Sequence, residues 1–295
     1  MEKLEFDILS RLAERLGECE GTTEMERVSA DSQTVDHLKC RGWIDQKGIT
    51  EAGLSALEPY KAQRAVFMAA GFGSRMVPIT LNTPKPLVRV HGKRIIETLI
   101  DAVLAAGIEE IYIVRGYLGE QFELLLRKYP MIRLIENPDY DGTGTISSFY
   151  YAREFLDRAY VLESDLVVTN PRVIRKYHYT SDFLGTKVNE TDDWYFKVAP
   201  DGYIREIGVG GSGDDCYKLI GMSYWDHADG KDLSRDIRVA YESPEGRKLP
   251  MSFVPFRLYK DRYRVAIAPC EAEDVVEIDS FKELQVYDES YRIKD

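Results

Sequence analysis

The sequence predicts an α/β protein in which a doubly wound, mainly parallel sheet follows a small helical domain. Three observations predict this fold class. Short apolar strands alternate with amphipathic helices over most of the chain, a glycine-rich turn follows the first of these strands, and the opening residues have a different, helical pattern. The length of 295 residues suits about two domains. We therefore assign residues 1–60 to a first domain and residues 64–295 to a second.

The first domain is predicted to be helical, with apolar residues at helical spacing on one face and Thr50 as the N-cap of its last helix. The apolar positions are Leu4, Ile8, Leu9 and Leu12, followed by Val28, Val35 and Leu38 in a second stretch. The run from Gly42 to Leu54, GWIDQKGITEAGL, resembles the winged-helix domains of bacterial regulators. This resemblance implies helices followed by a small hairpin.

Charge opposes a DNA-binding role for this domain. Residues 1–60 hold 7 Lys and Arg against 13 Asp and Glu, a net charge of −6, whereas duplex binding rewards a basic surface. We expect a docking or dimerisation module, and a homodimer is one assembly that would suit it.

The second domain is predicted from its alternating elements. The strands are at 65–69, 110–114, 159–162, 194–198 and 203–207, and the helices at 95–106 and 118–128. The turn Pro200-Asp201-Gly202 joins the last two strands as a hairpin. This hairpin indicates a small β-rich region beside the parallel sheet.

Composition excludes several classes of protein. A net charge of −11 opposes wholesale binding to nucleic acid or to an anionic membrane. No apolar run approaches the length of a membrane span, and the first residues lack the pattern of a secretory signal. The four cysteines, Cys19, Cys40, Cys216 and Cys270, are scattered, which is typical of a reducing compartment. The sequence thus predicts a cytoplasmic protein.

The glycine-rich turn after the first strand is a candidate phosphate site. Small residues let backbone N–H groups approach a polyphosphate, and Arg75 adds a fixed cation. Ten residues later, Lys85 lies between two prolines that stiffen the backbone. The candidate nucleotide-binding residues are Ala69, Ala70, Gly71, Gly73, Ser74, Arg75 and Lys85. Neither the Rossmann nor the P-loop pattern fits, since the third glycine of the first and the Gly-Lys-Ser/Thr of the second are missing.

Together, Ala69-Ala70-Gly71-Phe72-Gly73-Ser74-Arg75 and Pro84-Lys85-Pro86-Leu87 closely resemble the signature of nucleotidyltransferases that join an NTP to a phosphorylated small molecule. The resemblance covers residues 64–290. It implies that a substrate phosphate attacks the α-phosphorus of the NTP and releases pyrophosphate. The loop would hold the triphosphate, and Lys85 would steady charge on the α-phosphate.

A triphosphate reaction needs a divalent cation, and Mg²⁺ is typically held by one or two carboxylates. Asp165 follows an apolar strand, at the carboxyl end where ligands sit in open α/β sheets. Asp279 follows a later alternating strand. Each residue could instead cap a helix, and the resemblance is what favours a role as Mg²⁺ ligand. The predicted catalytic set is Arg75, Lys85, Asp165 and Asp279.

The subfamily that the chain most resembles is the bacterial CTP:phosphocholine cytidylyltransferases, through Trp194-Tyr195, Tyr217 to Trp225 and Val276-Glu277-Ile278-Asp279-Ser280. The resemblance implies transfer of CMP from CTP to phosphocholine, an amino-alcohol phosphate, which gives CDP-choline and pyrophosphate. A quaternary ammonium favours aromatic faces with a carboxylate nearby, so the candidate acceptor-binding residues are Trp194, Tyr195, Tyr217 and Glu277. The aromatic pair could also simply pack within a hairpin.

Two departures from that subfamily keep other substrates open. Its paired asparagines before a serine are absent from residues 137–148, where Ser147 alone keeps its place as a nucleotide-binding candidate. Its acidic pair is absent from residues 251–257, so the smaller amine of 2-aminoethylphosphonate is an alternative acceptor. A sugar-1-phosphate nucleotidyltransferase and a non-catalytic nucleotide-sensing regulator are the remaining alternatives.

Overall fold

The computed structural model describes residues 1–15 and 32–292, which form two compact units. The first unit comprises Met1–Lys61 with Lys176–Tyr179, and the second comprises Ala62–Arg175 with Thr180–Asp295. A short segment from the middle of the chain therefore belongs to the first unit. The sequence interpretations that involve Cys19 and Val28 lie outside the described residues.

The first unit is helical with one very small hairpin. Its elements are α1 (Lys3–Glu14), α2 (Ser32–Cys40), β1 (Ile44–Asp45), β2 (Gly48–Ile49) and α3 (Glu51–Leu57). The Thr50 side chain accepts a hydrogen bond from the Gly53 backbone N–H, as expected for the N-cap of α3. In α1, Leu9 and Leu12 are buried whereas Leu4 is 46% exposed, and Phe6 is the buried apolar side chain of the first turn. The winged-helix assignment stays a prediction.

The second unit is built on a nine-stranded sheet flanked by helices. Its elements are β3 (Arg64–Ala69), β4 (Arg89–Val90), β5 (Lys93–Arg94), α4 (Ile95–Ala105), β6 (Glu110–Arg115), β7 (Arg133–Glu136), α5 (Ile146–Ala152), β8 (Ala159–Glu163), β9 (Leu166–Val168), β10 (Asp182–Lys187), β11 (Glu190–Val198), β12 (Ile204–Ser212), β13 (Cys216–Trp225), α6 (His227–Glu242), β14 (Ala266–Cys270), β15 (Val275–Glu277) and α7 (Phe281–Tyr287). Residues 119–127, within the predicted helix 118–128, form a 3₁₀-helix that buries Phe122 and Leu125.

The strand order of the main sheet is β12-β11-β13-β8-β3-β6-β7, with β10 paired to β13 and to β14. Strands β8, β3, β6 and β7 are parallel, which confirms the predicted doubly wound region. Strand β13 joins this region antiparallel to β8 and carries the β11–β12 hairpin beyond it. The β-rich region therefore extends the same sheet.

A separate antiparallel pair is important for the site. Strand β9 follows β8 after a two-residue turn, and β15 pairs with it so that Glu277 lies opposite Leu166. The pairing brings the end of the chain back to the carboxyl edge of the parallel strands. Across the described residues, no helix has the length and apolarity needed to cross a membrane.

Candidate active site

The loop after β3 has a backbone shape that favours glycine. Gly73 lies at φ +69°, in the left-handed region, and a Cβ added there would lie 3.1 Å from the Lys85 Cβ. The buried Thr80 hydroxyl donates to the Gly73 carbonyl over 2.9 Å. The loop is therefore held directly against the segment that carries Lys85.

Lys85 is a buried cation between two carboxylates. Its Nζ donates to Asp165 Oδ2 and to Asp279 Oδ1, each over 2.8 Å, and its side chain is only 10% exposed. Burial lowers the pKa of the Lys85 ammonium, but the two neighbouring carboxylates outweigh burial and raise this pKa above its ordinary value. Lys85 is therefore fully charged at neutral pH.

Strand pairing explains why the two aspartates meet. Asp165 occupies the turn between β8 and β9, and its carbonyl accepts the Ile278 backbone N–H over 3.2 Å at the end of β15. Asp279 is the next residue, and its Oδ1 also accepts a hydrogen bond from Arg75 Nη2 over 2.9 Å. The structure thus brings together all four residues of the predicted catalytic set.

Two glutamates complete the acidic side of the site. Glu163, Asp165 and Glu277 each offer a carboxylate oxygen, and these oxygens lie within 4.8 Å of one another. The Glu163 carboxylate has room here because the residue opposite it on β13 is Gly221. A Cβ at position 221 would lie 2.5 Å from Glu163 Oε2. Sequence reasoning missed Glu163, although its position two residues before Asp165 at a strand end was a usable signal.

The acidic group is suited to a divalent cation. Asp165 Oδ1 is buried and accepts no hydrogen bond within the described part of the chain. Although the Glu163 side chain is exposed to solvent, the protein atoms around its carboxylate and the charges of Asp165 and Asp279 raise its pKa to about 8. Burial and the same two charges raise the pKa of Glu277 to about 7. Free carboxylate oxygens that repel one another are the hard donors that Mg²⁺ prefers.

A cavity of about 690 Å³ opens onto these groups. Its lining includes all eight predicted nucleotide-binding residues, namely Ala69, Ala70, Gly71, Gly73, Ser74, Arg75, Lys85 and Ser147. The same cavity is also lined by Asn137, Ser148, Asp193 and Trp194. A volume of this size suits a nucleotide with a small second substrate.

Of the four predicted acceptor residues, Trp194 and Glu277 line this cavity, whereas Tyr195 and Tyr217 do not. Successive side chains of a strand point to opposite faces, so Tyr195 lies on the far side of β11 from Trp194. There its hydroxyl donates to Glu206 Oε1 over 2.9 Å. Tyr217 instead lines a separate open cleft with Arg205 and Asp215.

A glycine loop, a lysine held by two aspartates and a metal-suited acidic group at one cavity are together the features of a nucleotidyltransferase site. The MobA-like NTP transferase domain family matches residues 65–182. The chain is 38% identical to a 2-aminoethylphosphonate cytidylyltransferase of Lancefieldella rimae over 230 residues, which cover 77% of this chain and 92% of that protein. It is 30% identical to a choline-phosphate cytidylyltransferase of Streptococcus pneumoniae over 77% of this chain and 97% of that protein.

Solved structures show the same relationship. A CTP:phosphocholine cytidylyltransferase from Streptococcus pneumoniae superposes with a TM-score of 0.71 at 30% identity, covering 78% of this chain and all of that one. An inositol-1-phosphate CTP transferase from T. maritima shares the fold, with a TM-score of 0.62 at 17% identity over 77% of this chain and 95% of that one. The chain therefore belongs to the cytidylyltransferase family of nucleotidyltransferases.

Proposed function

We propose that this enzyme transfers CMP from CTP to 2-aminoethylphosphonate and releases pyrophosphate. The observation that carries the acceptor choice is an ionised carboxylate next to Trp194 at the cavity wall. Asp193 Oδ1 accepts the Trp194 backbone N–H over 2.7 Å, and Asp193 Oδ2 lies 3.1 Å from Lys218 Nζ. Burial opposes ionisation of Asp193, but these two donors outweigh it and lower its pKa below the ordinary value.

The two acceptor headgroups differ in what they can bind. A primary ammonium has three N–H donors, which carboxylates such as Asp193 and Glu277 can accept. A quaternary ammonium has no N–H donor and is attracted to aromatic faces. The relative from Lancefieldella rimae, which aligns over 92% of its length, supports the primary amine.

Phosphocholine is the second candidate, because Trp194 offers one aromatic face in the same wall. The Trp194 ring packs edge to face against Phe253, with 6.0 Å between the ring centroids. This contact fixes the indole beside the carboxylates, where a methylated ammonium could lie against it. The two acceptors therefore compete for the same wall and can be separated only by direct comparison.

The chemistry needs alignment and charge neutralisation rather than a general base. A phosphonate oxygen is already anionic at neutral pH and attacks the α-phosphorus, forming a new P–O bond while the bond to the bridging oxygen of the β-phosphate breaks. The loop from Ala69 to Arg75 binds the triphosphate, and Lys85 donates to the α-phosphate as negative charge moves to the leaving pyrophosphate.

The residues suited to Mg²⁺ are Asp165 together with Glu163 and Glu277, whose oxygens already converge. Asp279, predicted from sequence as the second ligand, shares its Oδ1 between Lys85 and Arg75 and lies beside this group. When bound, Mg²⁺ supplies positive charge that offsets the charge of the triphosphate.

Pyrophosphate release tests the proposal, with CTP, UTP and dTTP each paired with 2-aminoethylphosphonate, phosphocholine and glucose 1-phosphate. We expect turnover with CTP and the highest kcat/KM with 2-aminoethylphosphonate. The Asp165→Asn variant measures background release. A higher kcat/KM for phosphocholine would overturn the acceptor assignment, and preference for UTP or dTTP with the sugar would overturn the cytidylyl assignment.

A pair of variants checks the basis of the acceptor choice. Asp193→Asn removes the charge that a primary ammonium would contact, and Trp194→Leu removes the aromatic face. We expect Asp193→Asn to raise the KM for 2-aminoethylphosphonate about tenfold, in the range of a lost charge-assisted hydrogen bond. A larger effect of Trp194→Leu than of Asp193→Asn on that KM would contradict the reasoning.

A further inference from the structure

The wall of the cavity contains a buried amide, that of Asn137, whose orientation is fixed. Asn137 is 2% exposed, and its Oδ1 accepts the backbone N–H of Asp139 over 3.0 Å. A backbone N–H can only donate, so the oxygen of the amide must face it. The Asn137 Nδ2 therefore points the other way, towards two serines at the start of α5.

The residue that supplies this N–H is itself anchored. The Asp139 carboxylate accepts hydrogen bonds from the hydroxyls of Tyr151, over 2.8 Å, and Tyr241. These two hydroxyls lower the pKa of Asp139 below its ordinary value, so it stays an acceptor at neutral pH. Tyr151 of α5 and Tyr241 of α6 thus hold Asp139 in place, and Asp139 sets the orientation of the Asn137 amide.

The amide orientation determines where the serine protons go. Asn137 Nδ2 donates to Ser147 Oγ over 3.0 Å and to Ser148 Oγ over 3.1 Å, so both hydroxyls act as acceptors towards it. The Ser147 proton is used within the wall, where its Oγ donates to the Gly144 carbonyl over 3.1 Å. Ser148 is 8% exposed and lines the cavity, and its proton has no acceptor among the described residues.

We propose that the Ser148 hydroxyl donates a hydrogen bond to an acceptor on the pyrimidine edge of the nucleotide, and that Asn137 is the positioning residue that holds it in this donor orientation. The proposal rests on the proposed use of CTP. Cytosine presents two adjacent acceptors, O2 and N3, whereas uracil presents an N–H at N3. Ser147, chosen from the sequence, has its proton committed to the wall, so the reading of the base falls to its neighbour.

The first test measures the Kd of CTP, with Mg²⁺ and without acceptor, in wild type and Ser148→Ala. We expect weakening of about 5- to 50-fold, the range for loss of one buried donor, with the KM for 2-aminoethylphosphonate changed less than twofold. Ser181→Ala is the matched control, since Ser181 is a fully buried serine outside the cavity whose Oγ accepts the Asp226 backbone N–H. A Ser148→Ala change below twofold for CTP would overturn the proposal.

The same variant tells which acceptor is read. A bond to N3 predicts that Ser148→Ala reduces the preference for CTP over UTP, and a bond to O2 predicts that both nucleotides weaken alike. If the wild-type protein turns over CTP and the Kd of CTP is the same in Ser148→Ala, only this inference is refuted. Wild-type protein that does not use CTP refutes the proposed function itself.

A double-mutant cycle tests the positioning role. Asn137→Asp keeps the shape and the acceptor for Asp139 but replaces the Nδ2 donor with an oxygen, which turns the Ser148 proton away from the cavity. If Asn137 acts through Ser148, Asn137→Asp weakens CTP binding in wild type but changes it less than about twofold in the Ser148→Ala background. Losses that multiply in the double variant would show a separate structural role. Should Asn137→Asp fail to fold, the Ser148→Ala measurement still decides the donor role.

Discussion

Replacement of Lys85 by methionine, which has a similar length and no charge, tests how far folding and catalysis depend on one buried cation. Lys85 Nζ lies 2.8 Å from Asp165 Oδ2 and 2.8 Å from Asp279 Oδ1. At an effective dielectric constant of about 20, one such contact gains ~6 kcal/mol before desolvation. Loss of one partner of a buried ion pair typically costs ~3–5 kcal/mol in free energy of unfolding. Because both aspartate side chains are 22% exposed, we expect the lower end of that range.

Lys85→Met should also lower kcat, for a reason separate from its effect on stability. In the proposed mechanism Lys85→Met removes the donor to the α-phosphate, and loss of one such donor typically costs about 100- to 1,000-fold in kcat. The KM for CTP should change less than kcat, because the loop from Ala69 to Arg75, which we propose binds the triphosphate, is unchanged in this variant. The variant also leaves Asp165 and Asp279 without their shared cation, so Mg²⁺ should raise its Tm more than that of wild type.

Lys197→Met is the control for Lys85→Met. Lys197 Nζ lies 2.8 Å from Asp215 Oδ1, its side chain is 15% exposed, and it lies outside the cavity. The assays are pyrophosphate release for kcat and KM and thermal unfolding with and without Mg²⁺. We expect Lys197→Met to retain wild-type kcat. A Lys85→Met enzyme with kcat within threefold of wild type would refute the placement of Lys85 at the reacting phosphate.

Two further predictions concern residues around Lys85. Arg75→Ala should lower kcat/KM for CTP about 10- to 100-fold while changing the Tm little. The Arg75 side chain is 70% exposed, and an exposed ion pair adds little stability. A fall in Tm as large as that of Lys85→Met would contradict this prediction. The pKa of Glu277 is about 7 in the folded protein because of burial and the nearby aspartates, above the ordinary value near 4.5. The unfolded chain therefore loses this proton first. In EDTA, Glu277 should lower the free energy of unfolding by at most ~3 kcal/mol as pH rises from about 5 to 7, in addition to the fall caused by the raised pKa of Glu163. Glu277→Gln should flatten this slope in denaturant titrations, and equal slopes in the two proteins would argue against the raised pKa.

The phosphate loop and Lys85 could be predicted because their signal is local in sequence. The glycines, the two prolines and the lysine lie within 20 residues. The glycines and prolines indicate the backbone conformation that follows one strand, and the lysine lies between the prolines. The same local signal places Asp165 at a strand end, but its role as a metal ligand needed the resemblance. Asp279 needed the resemblance, because only the pairing of β15 with β9 brings it to Lys85.

Glu163 and the aromatic residues were harder to place because their roles depend on strand phase. Glu163 needs the space over Gly221, which belongs to a strand more than fifty residues later. The register of β11 against β12 shifts between Thr191 and Trp194, so counting along the sequence cannot tell which of Trp194 and Tyr195 faces the cavity. Which of two adjacent aromatic residues faces the cavity can be assigned only once the register of the strand is known.

The balance of charge at the cavity connects folding, metal and pH. Among the described residues, the cavity and its edge hold five carboxylates and three cations. The carboxylates are those of Glu163, Asp165, Asp193, Glu277 and Asp279, and the cations are Arg75, Lys85 and Lys218. Two negative charges are therefore in excess when all groups are ionised. The protein atoms around these two carboxylates and then this excess of negative charge raise the pKa of Glu163 to about 8 and that of Glu277 to about 7, so protons on these groups reduce the excess near neutral pH. A divalent cation would relieve the same excess, so protons and Mg²⁺ compete for one set of oxygens. Mg²⁺ should then bind more tightly as pH rises through 7 to 8, and adding it should offset the fall in stability with pH that is measured in EDTA.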